Sequence, residues 1–260
     1  MPTKTAIVLD FIGANLRHLL FHLTPMDTPG GQSCWKWHLR QLNHYAPMFD
    51  GQILIAVVSG PGMMPAEQVA PFLPPRAQLI SLPNHPQLRE SYTLPLLLAR
   101  AYTVDPADTV FYAHSQGITW MGKKFEHTKR WWSLTMYRWL LSAQAMDLLK
   151  THPIVGWLKY EGTVSHFPPH SKWHYAGVFC WFRAAEVYLR PWWAVTPATY
   201  GAEAYLSGLF PSQAAASLYR MTPEQYLAIE GDACPYRPEF WSQIGIPTGP
   251  DADSYEGSPV

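Results

Sequence analysis

Apolar and polar positions alternate in blocks through the first half of the chain, and each block carries a recognisable period. Residues 5–10, Thr-Ala-Ile-Val-Leu-Asp, form a short β-rich run that closes on a carboxylate and predicts a buried first strand. Residues 13–23 follow as a helix start or a loop. Trp35, Leu39 and Leu42 share one helical face, which predicts a helix over 33–45 with Ser33 as its N-cap. Residues 52–58 form a second strand whose unbroken apolar character implies cover on both faces, as in a parallel sheet. The proline-rich stretch 61–75 interrupts regular structure apart from a helical turn near 66–71. Residues 78–82 read as a third strand. A helix over 90–104 follows, with Leu94, Leu97, Leu98 and Ala101 on one face and Pro95 early enough to be tolerated. Residues 109–113 form a fourth strand that runs directly into His114-Ser115-Gln116-Gly117.

The second half is less regular. It predicts a long helix over 131–150, a short strand at 154–157, an aromatic strand over 173–182, a short helix at 184–189 and a helical turn at 202–209. Alternating strands and helices argue for an α/β fold, a mostly parallel sheet with right-handed crossovers and flanking helices in one domain. Residues 1–120 and 121–244 would form its two halves, and 245–260 a loosely ordered tail rich in Gly, Pro, Asp and Ser. In such sheets, function gathers at the carboxyl ends of the strands, where Asp10, Ser59-Gly60 and the 114–117 tetrapeptide lie.

Composition narrows the picture. With 260 residues, 48% hydrophobic and 15% charged, the chain is a folded globular protein. Twelve Trp exceed what a core alone calls for, since each indole N–H wants a partner. They line a concave binding surface or form a Trp-heavy core. The formal net charge of zero gives no global bias toward nucleic acid or acidic membranes. Cys34, Cys180 and Cys234 are odd in number and far apart, which excludes a readable zinc or disulfide framework and points to a reducing, cytoplasmic compartment. Neither a signal-peptide stretch nor an apolar run of membrane-spanning length is present, so membrane contact is expected to be peripheral.

Several chemistries are excluded by motif. The chain has no Gly-x-Gly-x-x-Gly after its first strand, no Walker A sequence, no Gly-x-Ser-x-Gly elbow and no His-Glu-x-x-His. Asp251-x-Asp253 lies in the tail and reads as solvation. The stretch Lys123-Lys124 to Lys129-Arg130-Trp131-Trp132 reads as a solvated helix start anchored by two Trp. A grip on a phosphorylated or nucleic-acid acceptor by charge and stacking is the second reading of the same stretch.

Three ordered segments carry the strongest signal. Arg89-Glu90-Ser91-Tyr92-Thr93-Leu94-Pro95-Leu96-Leu97, Phe111-Tyr112-Ala113-His114-Ser115-Gln116-Gly117-Ile118 and His174-Tyr175-Ala176-Gly177-Val178-Phe179-Cys180-Trp181-Phe182-Arg183 occur in that order, followed by Tyr200-Gly201-Ala202-Glu203-Ala204-Tyr205-Leu206. Together they resemble a family of GT-A-type glycosyltransferases of bacteria and viruses. Its segments read Glu-x-x-Thr-Leu-x-x-Leu, Tyr-x-His-(Thr/Ser)-Lys-Gly, His-Tyr-Ser-Gly-Asn-Phe-Trp-Trp and Arg-x-x-x-Glu-x-Trp-(Ile/Leu). The resemblance spans roughly residues 85–210. It departs at Gln116 (usually Lys), Val178 (Asn) and Cys180 (Trp).

What the resemblance implies is specific. The fold would be GT-A-like and Rossmann-related, with 1–120 as its donor half and 121–244 as its acceptor half. The activity would be transfer of a sugar from a nucleotide-sugar donor to a glycan or other hydroxyl acceptor. Glu203 would be the general base, with Glu186 and Glu161 as weaker candidates. Arg89, Glu90, His114, Ser115, Gln116 and Gly117 would bind the donor, joined by Asp10 on its place at the end of the first strand, and His174 and Tyr175 would shape the acceptor pocket. GT-A enzymes usually hold Mn or Mg by an Asp-x-Asp pair at the end of the fourth strand. Here that place reads Tyr112-Ala113-His114. The expectation is therefore no tightly bound metal, with His114, Lys123, Lys124, Lys129 and Arg130 as cations for the departing diphosphate. Ligation of a divalent ion by His114 is the alternative. A protein that binds a nucleotide or carbohydrate on the same fold without catalysis is the competing reading.

Overall fold

Two parallel strands at the centre of one sheet organise the molecule: β1 (Arg17–Leu23) and β4 (Thr109–His114). The structure is a computed structural model and describes residues 15–103, 105, 107–121, 126–162, 167–168 and 171–220. The expected strand at 5–10 and the tail at 245–260 lie outside those residues. The elements in chain order are β1, α1 (Pro29–Tyr45), β2 (Ile53–Ser59), α2 (Ala66–Val69), β3 (Gln78–Pro83), α3 (Glu90–Arg100) and β4. They continue with α4 (Glu126–Leu140), α5 (Ala143–Leu149), β5 (Ile154–Glu161), β6 (Trp173–Tyr175), β7 (Cys180–Arg183), α6 (Ala184–Tyr188), α7 (Gly201–Leu209) and β8 (Ala215–Arg220).

Among the described residues the sheet has eight strands in the order β3-β2-β1-β4-β7-β5-β6, with β8 beside β5. The β3-β2-β1-β4 half is parallel throughout, and its intervening helices make the crossovers. β7 turns antiparallel between β4 and β5. The fold is thus mixed α/β with helices on both faces of a single sheet. Leu19, Phe21, Ile55, Phe111 and Trp181 pack on the side covered by α1, α4 and α5. Leu20, Leu54, Tyr112 and Phe182 pack on the side covered by α3, α6 and α7.

Several sequence expectations change. The 13–23 stretch contains strand β1, not a helix start or loop. A short apolar run has no decisive period of its own, and pairing on both edges settles its state. Helix α1 begins one turn earlier than Ser33: the Thr28 side chain accepts a hydrogen bond from Gly31 N, and Pro29 fits the first turn. The helix from 90 ends at Arg100. The long helix over 131–150 is two helices, because Ser142 leaves helical geometry and caps α5 through Ala145 N.

The aromatic strand 173–182 is also broken. Lys159 pairs with Tyr175 and Gly156 with Cys180, so β6 and β7 follow the same edge of β5 with two extra residues between them. That bulge takes Gly177 to φ 85° and Val178 to φ 56°, and it turns the Gly177 carbonyl toward the end of β4.

Candidate active site

His22 and His114 face each other in register at the carboxyl ends of β1 and β4, on the side covered by α3 and α7. Each helix brings a carboxylate from its first turn, Glu90 from α3 and Glu203 from α7.

His114 Nδ1–H donates to Glu90 Oε1 at 2.8 Å, and Nε2–H donates to the Gly177 carbonyl at 2.9 Å. A carbonyl can only accept, so Nε2 carries a proton, and an ionised Glu90 requires a second on Nδ1. Burial pushes the Glu90 carboxyl up, but the neighbouring His114 charge and hydrogen bond overcome it and hold it down at about 2. Burial likewise opposes the charge on His114. The Glu90 carboxylate prevails and raises its pKa above the ordinary value. The result is a buried imidazolium–carboxylate pair.

His22 has different partners. Thr93 donates its hydroxyl hydrogen to the Glu90 carbonyl at 3.3 Å, so at 2.8 Å it accepts from His22 Nδ1–H. Nε2 then accepts from the Thr24 hydroxyl at 3.0 Å. Burial first, and the His114 charge after it, bring His22 down to about 4 despite the pull of Glu90, so it is neutral.

The tetrapeptide after β4 is pinned from two sides. Ser115 Oγ accepts from Thr24 N at 3.0 Å. His38 of α1 donates from Nε2 to the Gln116 carbonyl at 2.9 Å and accepts from Tyr137 OH at 2.9 Å. Gly117 sits at φ 89°, which a side chain would strain.

Glu203 stands apart from these networks. Its Oε2 is buried with no hydrogen-bond partner among the described residues. Burial raises its carboxyl, the Glu90 charge raises it further, and His114 and Arg89 pull the other way; the net position is about 7.

These groups open on a cleft of about 520 Å³, lined by loops that follow β1, β2, β3 and β4 and by the start of α7. Seven residues singled out in the sequence share its wall: Arg89, Glu90, His114, Ser115, Gln116, Gly117 and Glu203. Arg89 holds φ 49°, a strained setting for a side chain, and its guanidinium makes no hydrogen bond among the described residues. His22, Thr24, Asn84 and Tyr200 also line the cleft and were not foreseen. For His22 and Thr24 the signal was present in Leu19-Leu20-Phe21-His22-Leu23-Thr24, an apolar run that ends in polar residues, as the fourth strand does.

Other candidates lie elsewhere. Asp10, Lys123 and Lys124 fall outside the described residues, as does the side chain of Lys129. Arg130 donates to Ser33 Oγ at 3.1 Å, away from the cleft lining. Tyr175 is buried in the sheet with its hydroxyl on the Ala216 carbonyl, and His174 is buried between the rings of Tyr160 and Phe167. Neither lines the cleft: Tyr175 packs in the layer beside α7, and His174, the alternate residue of β6, faces the other side of the sheet with Tyr160. Glu186 is held by Arg183 and Arg190, and Glu161 by Lys159 and Ser212.

The residues present do not fit a divalent cation of the GT-A kind. The end of β4 offers no carboxylate, and both His114 nitrogens are committed as donors, which leaves no lone pair for a metal. The alternative in which His114 is a metal ligand is therefore corrected. Among the described residues no group of three His, Cys, Asp or Glu is placed to hold an ion. No described helix is long and apolar enough to cross a membrane.

No protein-family model and no curated protein matches the chain. Among solved structures, a 4-diphosphocytidyl-2C-methyl-D-erythritol synthase is similar over 84% of this chain and 98% of its own, at 13% identity and a TM-score of 0.42. A protein assigned as a nucleotide-diphospho-sugar transferase of Desulfovibrio desulfuricans G20 is similar over 85% and 90%, at 10% identity and a TM-score of 0.37. Likenesses this distant carry no argument about the site.

Proposed function

We propose that the chain is a GT-A-like glycosyltransferase that moves a sugar from a nucleotide-sugar donor to a hydroxyl acceptor, with Glu203 as general base. One observation carries the reading: Glu203 lines the cleft, one of its carboxylate oxygens has no hydrogen-bond partner among the described residues, and the group sits near pH 7, where it can accept a proton.

The acceptor hydroxyl donates its hydrogen to Glu203 while its oxygen bonds to the anomeric carbon. The bond from that carbon to the donor's phosphate oxygen breaks, and its electron pair leaves on the nucleoside diphosphate. The proton ends on Glu203, and a single displacement inverts the anomeric centre. Arg89, a cleft cation with no side-chain hydrogen bond among the described residues, would meet the growing negative charge, and the pinned 115–117 backbone shapes the space around it. The His114–Glu90 pair fixes the start of α3 against the bulge at Gly177 and sets the field at Glu203.

The test is a thermal-shift screen of nucleoside diphosphates and nucleotide-sugars, followed by transfer assays on Glu203→Gln. A stabilising nucleotide, and loss of transfer with retained donor binding, are the expected results. Donor binding without turnover in the wild type across the panel, with Mn added, would favour the non-catalytic reading, which the missing acidic pair after β4 supports. No nucleotide binding at all would sink both. Whether the acceptor is a glycan or a nucleic acid is decided by the same assay with both acceptor types.

A further inference from the structure

Away from the cleft, the segment after α6 forms a corner whose apolar tips face solvent. Leu189 is 84% exposed and Trp193 is 63% exposed, and Tyr102 beside them is 53% exposed. The backbone beneath is held firmly. Leu189 N and Arg190 N bond back to Ala185 and Val187, Ala194 N bonds to Pro191, and Tyr205 OH donates to the Trp192 carbonyl at 2.7 Å. Tyr102, Tyr188, Trp192 and Trp193 form a continuous series of ring contacts with centroids 4.9 to 6.4 Å apart. The half-buried rings of Tyr188 and Trp192 anchor the corner, while Leu189, Pro191, Trp193 and Ala194 project.

Near these tips arginines outnumber carboxylates: Arg100, Arg183 and Arg190 stand against Glu186 and against Asp105, three residues after Tyr102. Between Glu186 and Glu203 the chain has no Asp or Glu. Glu186 itself is shared between Arg183 at 3.1 Å and Arg190 at 3.0 Å, which leaves that group with a net positive charge. Arg100 is exposed two residues before Tyr102.

We infer that this corner is a docking surface for the face of an anionic lipid bilayer. Trp and Tyr rings settle at the headgroup level, Leu reaches into the acyl boundary, and arginines meet lipid phosphates. A second copy of the chain fits less well. The exposed parts of the three side chains amount to roughly 400 Å², taking about 150–250 Å² for a whole large side chain. A stable interface needs about 800 Å² per partner. Exposed apolar tips raised above a rigid corner also suit insertion into a soft layer better than contact with a flat protein face. This inference does not depend on the reading of the cleft.

The experiment is co-sedimentation of the full chain with vesicles of phosphatidylcholine alone and with about 30% phosphatidylglycerol. Binding to the anionic vesicles is expected to be at least about tenfold tighter and to weaken as salt rises. Leu189→Asp with Trp193→Asp should reduce it by about tenfold or more at unchanged Tm. Should that variant fail to fold, Trp193→Phe serves instead: brominated lipid should quench the wild-type fluorescence more than that of the variant. Absent or lipid-independent binding would overturn the inference. So would binding that survives in the folded double variant, or a lipid-free dimer or glycan complex that depends on these same tips.

Discussion

His22 and His114 are register partners on adjacent parallel strands, yet the first is neutral and the second is charged. Their partners decide it. Thr93 and Thr24 give His22 one acceptor and one donor, which suits a neutral ring. Glu90 and the Gly177 carbonyl give His114 two acceptors. Proximity reinforces the difference, since a charge on His114 disfavours a second on His22. Nitrogen chemical shifts across a pH series should show His114 doubly protonated at neutral pH and His22 neutral until near pH 4. The same state on both rings would refute the assignment.

Glu90→Gln should cost about 3–5 kcal/mol of stability, because it leaves the buried imidazolium without its counter-charge. The pH dependence follows from the shifts. Glu90 is depressed below its ordinary 4.5, so its contribution is present above 4.5 and lost as pH falls toward 2. His114 is raised above 6.5, so its contribution is present below 6.5 and lost as pH rises through its folded value. The gap between wild type and variant in urea unfolding should therefore be widest between pH 4.5 and 6.5.

Glu203→Gln should stabilise the fold at pH 8 while it abolishes transfer. The folded carboxyl sits near 7 against an ordinary 4.5, so the folded state is favoured at acid pH and loses stability as pH rises from 4.5 through 7. Removal of that charge should recover about 1–3 kcal/mol at pH 8 and nothing at pH 4. In the wild type, kcat/KM should rise with pH about a midpoint near 7. A flat profile would remove Glu203 from the mechanism.

Arg89→Gly separates backbone strain from charge. Relief of the φ 49° setting should offset the entropy cost of glycine and leave stability unchanged or raised by about 1 kcal/mol. Nucleoside diphosphate affinity, measured by calorimetry, should fall about tenfold or more. Retained affinity would assign the anion to other groups.

Two glycines offer a paired test. Gly201→Ala places a Cβ 1.8 Å from the Thr196 carbonyl at the start of α7, two residues before Glu203. Gly156→Ala places one 2.2 Å from the Tyr175 ring, in the sheet and away from the cleft. Each should cost about 1–3 kcal/mol by thermal or urea unfolding. Only Gly201→Ala should also lower kcat in the folded fraction.

By itself the sequence determined the α/β class, the strands of the parallel half apart from β1, and the placing of His114, Ser115, Gln116 and Gly117 at a strand's carboxyl end. Those features rest on local periodicity and on the chain leaving an apolar strand through polar residues. The choice of Glu203 came from the resemblance of its segment to a known helix. Tertiary structure alone decided the rest. It made 17–23 a strand through pairing on both edges, and it broke 173–182 with a bulge so that Gly177 could meet His114. It set the protonation of two similar histidines by what stands opposite them, and it withdrew His174 and Tyr175 into the packed layers. Partners about 24 to 90 residues apart in the chain, such as Glu90 with His114 and His18 with Asp108, meet only when the sheet closes, and no local pattern encodes which of them will.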